Sequence, residues 1–140
     1  MTDFNVTVMG SITDAIIALL KADTNLQALG YDNIGRDLIG YDRSKKWIVV
    51  TRQGGTYAWP KHAHPRVDIN CYAPYGGDAE DLMEMCVAII LRKQPASYRG
   101  HGIILCAAKI ETAPFESSDK LSGSCRYVVA FRLTVRPDIP

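Results

Sequence analysis

The sequence predicts an α+β fold: a mainly antiparallel sheet of about four or five strands with two helices on one face, in the order α-β-β-α-β-β. Three stretches carry this expectation. Residues 65–93 read as a strand, a glycine turn and an amphipathic helix; residues 124–136 hold the longest apolar–polar alternation in the chain; residues 11–20 open it with helical periodicity. A length of 140 residues, 47% of them hydrophobic and 22% charged, suits one domain spanning 1–140.

In chain order, Ser11 is placed to cap the first helix, with Asp14 as the partner of a capping box, and Ile12, Ala15, Ile16, Leu19 and Leu20 form its apolar stripe. Asp23-Thr24-Asn25 breaks the helix, and Leu26 and Leu29 supply one more short turn ending at Gly30. Residues 31–46, with Gly35, Gly40 and the basic Arg43, Lys45 and Lys46, read as solvated connection. Trp47–Arg52 is rich in β-branched residues and reads as a strand that Gly54-Gly55 ends.

Val67, Ile69 and Cys71 alternate with Arg66, Asp68 and Asn70, the period of a strand with one buried face. After the turn at Pro74 to Gly77, Asp78 is the expected N-cap of a helix with Glu80 and Asp81 in its first turn and Arg92 and Lys93 at its end. Leu82, Met85, Cys86, Ile89 and Ile90 make its core stripe. Residues 94–100 connect to a strand from Ile103 to Thr112, with Ile104, Cys106, Ala108 and Ile110 on one face and Ile103, Leu105 and Ala107 on the other. In the last strand Tyr127, Val129, Phe131, Leu133 and Val135 face the core, and Arg126, Arg132, Thr134 and Arg136 line the opposite face with Val128 and Ala130.

Two connections attract attention. Gln53–Pro65 is long for a hairpin loop and carries Tyr57 and Trp59, which either contact a partner or fold back on their own sheet. Ala113–Gly123 is loop-like, with Phe115 and Leu121 as anchors. The arginine face has two readings as well: a solvated face protected from aggregation by charge, or a surface for an acidic partner or a second copy of the chain.

Chemistry is sparse. His62-x-His64, with His101 as a third imidazole, lacks companion ligands at metal spacing and reads as surface loop. Gly76-Gly77-Asp78 belongs to no phosphate-binding pattern, and Asp78 would itself occupy the helix N-terminus. No nucleophile motif appears, so no enzyme activity and no cofactor are expected. With 16 Lys+Arg against 15 Asp+Glu the net charge is +1, which provides no global drive toward nucleic acid or an anionic membrane. Met1–Asn5 lacks a basic leader and no run approaches the roughly 18 apolar residues of a membrane span, so a cytosolic site of synthesis and no membrane partner are expected. Cys71, Cys86, Cys106 and Cys125 show no paired spacing and are expected as free buried thiols.

The strings Leu19-Leu20-Lys21-Ala22-Asp23, Val49-Val50-Thr51-Arg52-Gln53-Gly54-Gly55, Pro65-Arg66-Val67-Asp68-Ile69-Asn70-Cys71-Tyr72-Ala73 and Asp78-Ala79-Glu80-Asp81-Leu82 follow one another in an informative order. Over about residues 11–136 this layout resembles the tail terminator proteins of long-tailed bacteriophages, also called tail completion or minor tail proteins. The resemblance implies a structural protein that forms a ring, commonly of six copies, on the end of the tail tube. The ring stops tube polymerisation and offers a head-joining surface. Implied partners are the chain itself, the tail tube protein and a head connector protein, with no sequence-specific nucleic acid. The implied location is the head-proximal end of the virion tail, after assembly in host cytoplasm. Candidate interface residues are Tyr57, Trp59, Phe115, Leu121, Arg126, Arg132 and Arg136. The alternatives are another head–tail connector or neck protein, or a small ligand-binding module or enzyme on an α+β fold.

Overall fold

In the computed structural model, which describes residues 10–58, 62–92, 98–117 and 125–137, three helices cover one face of a six-stranded sheet. Helix α1 (Ile12–Lys21) begins at Ser11, whose hydroxyl accepts the Asp14 N–H at 3.2 Å. Its expected stripe of Ile12, Ala15, Ile16, Leu19 and Leu20 is buried. Arg36 donates to both Asp14 and Ser11, tying a later segment to this cap, and its hydrogen bond holds the Asp14 carboxyl below the usual carboxylate range. Asp23 caps the short α2 (Thr24–Leu29) by accepting the N–H groups of Asn25 and Leu26 at 2.9 and 3.2 Å, and Gly30, at φ 80°, ends it.

The strands are β1 (Asn33–Gly35), β2 (Trp47–Ala58), β3 (His62–Ala73), β4 (Tyr98–Gly100), β5 (Ile103–Glu116) and β6 (Cys125–Pro137), and α3 (Gly76–Arg92) lies between β3 and β4. Their order across the sheet is β1-β2-β3-β6-β5-β4. The expectation of four or five mainly antiparallel strands is thereby corrected: the sheet is mixed and has six, with β1 parallel to β2 and the other pairings antiparallel. The two added strands are three-residue edges that show no periodicity of their own. In β1 only Ile34 is buried, so pairing with a longer neighbour, not local pattern, makes it a strand. The segment read as solvated connection is also tied down, because Lys46 N–H donates to Asp32 at 2.7 Å and Asp32 N–H donates back to the Lys46 carbonyl at 2.7 Å.

Both long connections are shorter than expected. β2 continues past Gly54-Gly55 to Ala58 and β3 begins at His62, so most of Gln53–Pro65 is paired hairpin. The glycines do not end the strand. At φ 79° and 117° they absorb a bulge between Arg52 and Gly55, and Pro65, which has no N–H to donate, sits opposite Gly55 at that irregularity. Likewise β5 runs through Ala113-Pro114-Phe115-Glu116, because a register shift between Thr112 and Phe115 accommodates Pro114. Another shift between Leu105 and Ala107 places Ala108 opposite Leu133 on the core side with Ile103 and Leu105. The strict alternation read from the sequence, with Ala108 grouped with Ile104, fails at that bulge.

Helix α3 starts at Gly76, not after Asp78. Gly76 and Gly77 stay out of positive φ, and the Ala79 N–H donates to the Tyr75 carbonyl at 3.1 Å, which puts Asp78 inside the first turn instead of at the cap. Leu82, Cys86, Ile89 and Ile90 are buried as the periodicity predicts, Met83 and Ala79 join them, and Met85 is half-buried. These side chains meet Val67, Ile69, Cys71, Val129, Phe131 and Leu133 in one core cluster. At about 1.5–3 kcal/mol for each large side chain fully removed from water, that contact is what holds helix to sheet. Cys71 and Cys86 are buried free thiols, and burial pushes the Cys71 thiol well up; Cys106 and Cys125 are free and half-buried.

Candidate interaction surface

The helices leave the other face of the sheet open. Antiparallel register carries its outward residues into rows that cross the strands. One row reads Arg66 on β3, Arg132 on β6 and Lys109 on β5, with Arg66 paired to Arg132 and Arg132 to Lys109. Like charges directly opposite are destabilising, and two carboxylates relieve them. Arg66 Nε donates to Asp68 at 3.0 Å and lies 3.8 Å from Glu111, which also takes the Arg132 guanidinium. Lys109 has no carboxylate partner among the described residues and is exposed. Three cations against two carboxylates leave the row positive.

The adjacent row holds Thr56, His64, Thr134 and Ala107. His64 Nδ1 lies 3.1 Å from Thr134 Oγ1, and Arg132 Nη1 donates to the His64 carbonyl at 3.2 Å. Between the rows lies a groove of about 550 Å³ whose lining includes Thr56, His64, Ala107, Lys109, Arg132 and Thr134. Small side chains, Ala107, Thr56 and Thr134, and the cations Lys109 and Arg132 share this lining. Among the described residues no cluster of three His, Cys, Asp or Glu could hold a metal ion. His62 and His64 stack edge to face with centroids 4.7 Å apart, and His101 stands in the turn between β4 and β5.

At one end of the same face, Trp47 and Tyr72 pack with Tyr41, with centroids 5.8 Å (Tyr41–Trp47) and 5.5 Å (Tyr41–Tyr72) apart. Trp47 Nε1 donates to the Asp37 carbonyl at 2.9 Å. Arg126 closes this cluster, with its guanidinium 5.9 Å from the Tyr72 ring centre and donating to Ser117 through Nε at 3.0 Å and Nη2 at 2.7 Å. The exposed Ile39, Tyr75 and Phe115 rim this end; Ile39, 81% exposed, and Tyr75, 73% exposed, stand out in water.

The candidate residues thus separate. Arg126 and Arg132 are engaged within the chain, Arg136 is exposed without a partner among the described residues, and Phe115 is half-exposed opposite Val128 on the rim. Tyr57 pairs with Ala63 in the hairpin. Trp59 and Leu121 lie outside the described residues, as does the side chain of Tyr57. Sequence reasoning gives Arg66, Lys109 and Glu111 no interface role, whereas Thr134 lies on its arginine face and His64 in the Gln53–Pro65 connection. Lys109 and Glu111 carried a signal, since β5 turns polar there, but only register puts them beside Arg132.

Tyr127 joins the sheet to α3: its hydroxyl donates to Glu80 at 3.0 Å and lies 3.4 Å from Glu116. The Glu80 hydrogen bond, above all, pushes its pKa up from 10 to about 12. A raised pKa means that the neutral phenol is favoured in the folded state. Its contribution is therefore present below pH 10 and lost as pH rises through about 12. In a phenolate absorbance titration, Tyr127→Phe is expected to remove a component near pH 12. Loss of a component at ordinary tyrosine pH would show that this bond does not form.

No family model matches the chain, and no curated protein matches it. Among solved structures it is similar to a chain of the virion of a native gene transfer agent particle, with a TM-score of 0.69 and 13% sequence identity, over 89% of this chain and 94% of that chain. At that identity the likeness establishes a shared fold.

Proposed function

We propose that this chain is a structural subunit of a phage or phage-like particle and, within it, a tail terminator. Six copies form a ring on the end of the tail tube, stop its polymerisation and provide the surface that a head connector protein meets. The chain builds and does not catalyse. The observation that carries this reading is the likeness to a virion chain, which spans nearly the whole length of both molecules. The order of sequence strings that resembles tail terminators supports that position. A charged outer sheet face and an apolar rim at one end are surfaces of different chemistry, as suits a chain that meets both its own copies and another component.

The same likeness also fits a neck or connector subunit of the particle, and tube length separates the two. Tail tube protein is polymerised with and without this chain, and tube lengths are measured by electron microscopy while sedimentation velocity reports its mass. A terminator shortens the tubes, caps their ends and sediments at a multiple of 15.5 kDa, free or on tubes. Rings that leave tube length unchanged favour the connector. A chain that remains at 15.5 kDa and binds no tube end overturns both.

A further inference from the structure

Among the described residues, exposed charges without an ion pair stand on both outer layers of the chain. On the sheet side, Lys109 and Arg136 are exposed and unpaired among the described residues; Lys109 lines the groove with Arg132, and Arg136 lies two residues beyond the lining Thr134 on β6. They belong to neighbouring strands, and Arg136 is four residues, about 13 Å, along β6 from the residue opposite Lys109. On the helix side, α3 turns Leu82, Met83, Cys86, Ile89 and Ile90 into the core, which leaves Gly77, Asp81, Glu84 and Ala88 along its exposed stripe, with Arg92 at the C-terminal end of that stripe. Asp81 and Glu84 form no ion pair among the described residues. The first half of the α3 stripe therefore presents two acids, and the outer sheet face presents two cations, with no ion pair among the described residues.

The geometry points to a head-to-tail contact between copies in which the exposed stripe of α3 lies in the outer-face groove of the next subunit, Asp81 and Glu84 meeting Lys109 and Arg136. Shape agrees with charge. The stripe is slim, with Gly77 and Ala88 flanking the two acids, and Ala107 and Thr134 leave the groove floor low. Each copy offers both halves of the contact on different faces, so the contact is heterologous and closes into a ring when its rotation closes. This inference rests on the ring reading above and names the surfaces that would build the ring.

Heterologous contacts permit a test by mixing. One variant, Lys109→Glu with Arg136→Glu, makes both faces acidic; a second, Asp81→Lys with Glu84→Lys, makes both basic. All four positions are exposed, so each variant is expected to keep the wild-type melting temperature within a few degrees. Sedimentation velocity should show each variant alone associating about tenfold or more weakly than wild type, and an equimolar mixture regaining wild-type mass, because each groove then finds an oppositely charged helix. Wild-type association should also weaken between low and high salt. If both variants alone assemble like wild type, or the mixture fails to recover, the inference is overturned while the ring reading stands. A wild-type chain that is monomeric both free and with tail tubes present overturns the ring reading itself, and this inference with it.

Discussion

Phe131→Ala is expected to lower stability by about 3–5 kcal/mol, the range for emptying a buried phenylalanine site. At roughly 3–5 °C per kcal/mol for a domain of this size, that is a fall in melting temperature on the order of 10–20 °C. Phe131 is fully buried at the middle of β6, opposite Val67 on β3 and Ile110 on β5, in the cluster that joins α3 to the sheet. Its neighbours are elements of a six-stranded sheet and cannot collapse far into the space without breaking ladder bonds, so the cavity term adds to the transfer term. Urea unfolding monitored by circular dichroism checks this: the midpoint should fall with the slope unchanged. Phe131→Leu, which retains most of the volume, should cost under half as much. A loss below about 1 kcal/mol for the alanine variant would place the core elsewhere.

Gly55→Ala is expected to disrupt the β2/β3 hairpin, whereas Gly54→Ala should cost only the strain of its own backbone conformation. Both glycines have positive φ, 79° at Gly54 and 117° at Gly55, and strain of that kind costs about 1–3 kcal/mol for a residue with a side chain. Their surroundings separate them. A Cβ at Gly54 meets nothing within 4 Å, while one at Gly55 would stand 2.2 Å from the His64 carbonyl oxygen and 2.6 Å from Pro65 Cα. Those are backbone atoms of the paired strand and cannot rotate away. The His64 carbonyl also accepts the Arg132 hydrogen bond on the groove wall, so its displacement should reach the proposed contact surface. Amide exchange should show lost protection at residues of both strands near the bulge in Gly55→Ala, with weaker association alongside. Equal effects from the two substitutions would remove the close approach as the cause.

Much of this architecture is written in local pattern. The stripes of α1 and α3, the alternation of Val67, Ile69 and Cys71, and the core-facing set from Val129 to Val135 follow from periods of 3.6 and 2, because each side chain's burial depends on which way its own backbone points it. The caps at Ser11 and Asp23 are similarly local, a side-chain oxygen meeting an N–H two or three residues on. Pairing is not local. Whether Gly54-Gly55 ends a strand or bulges it depends on β3 supplying partners beyond the glycines, and β1 and β4 exist only because longer strands offer free edges. The candidate surface depends on the same thing: Arg126, Arg132 and Arg136 look alike along the chain, yet Ser117 and Tyr72 engage the first, Glu111 holds the second and the third has no partner among the described residues. Composition and spacing say which residues face outward, whereas register between strands tens of residues apart selects the neighbours that neutralise a charge or leave it open to a partner.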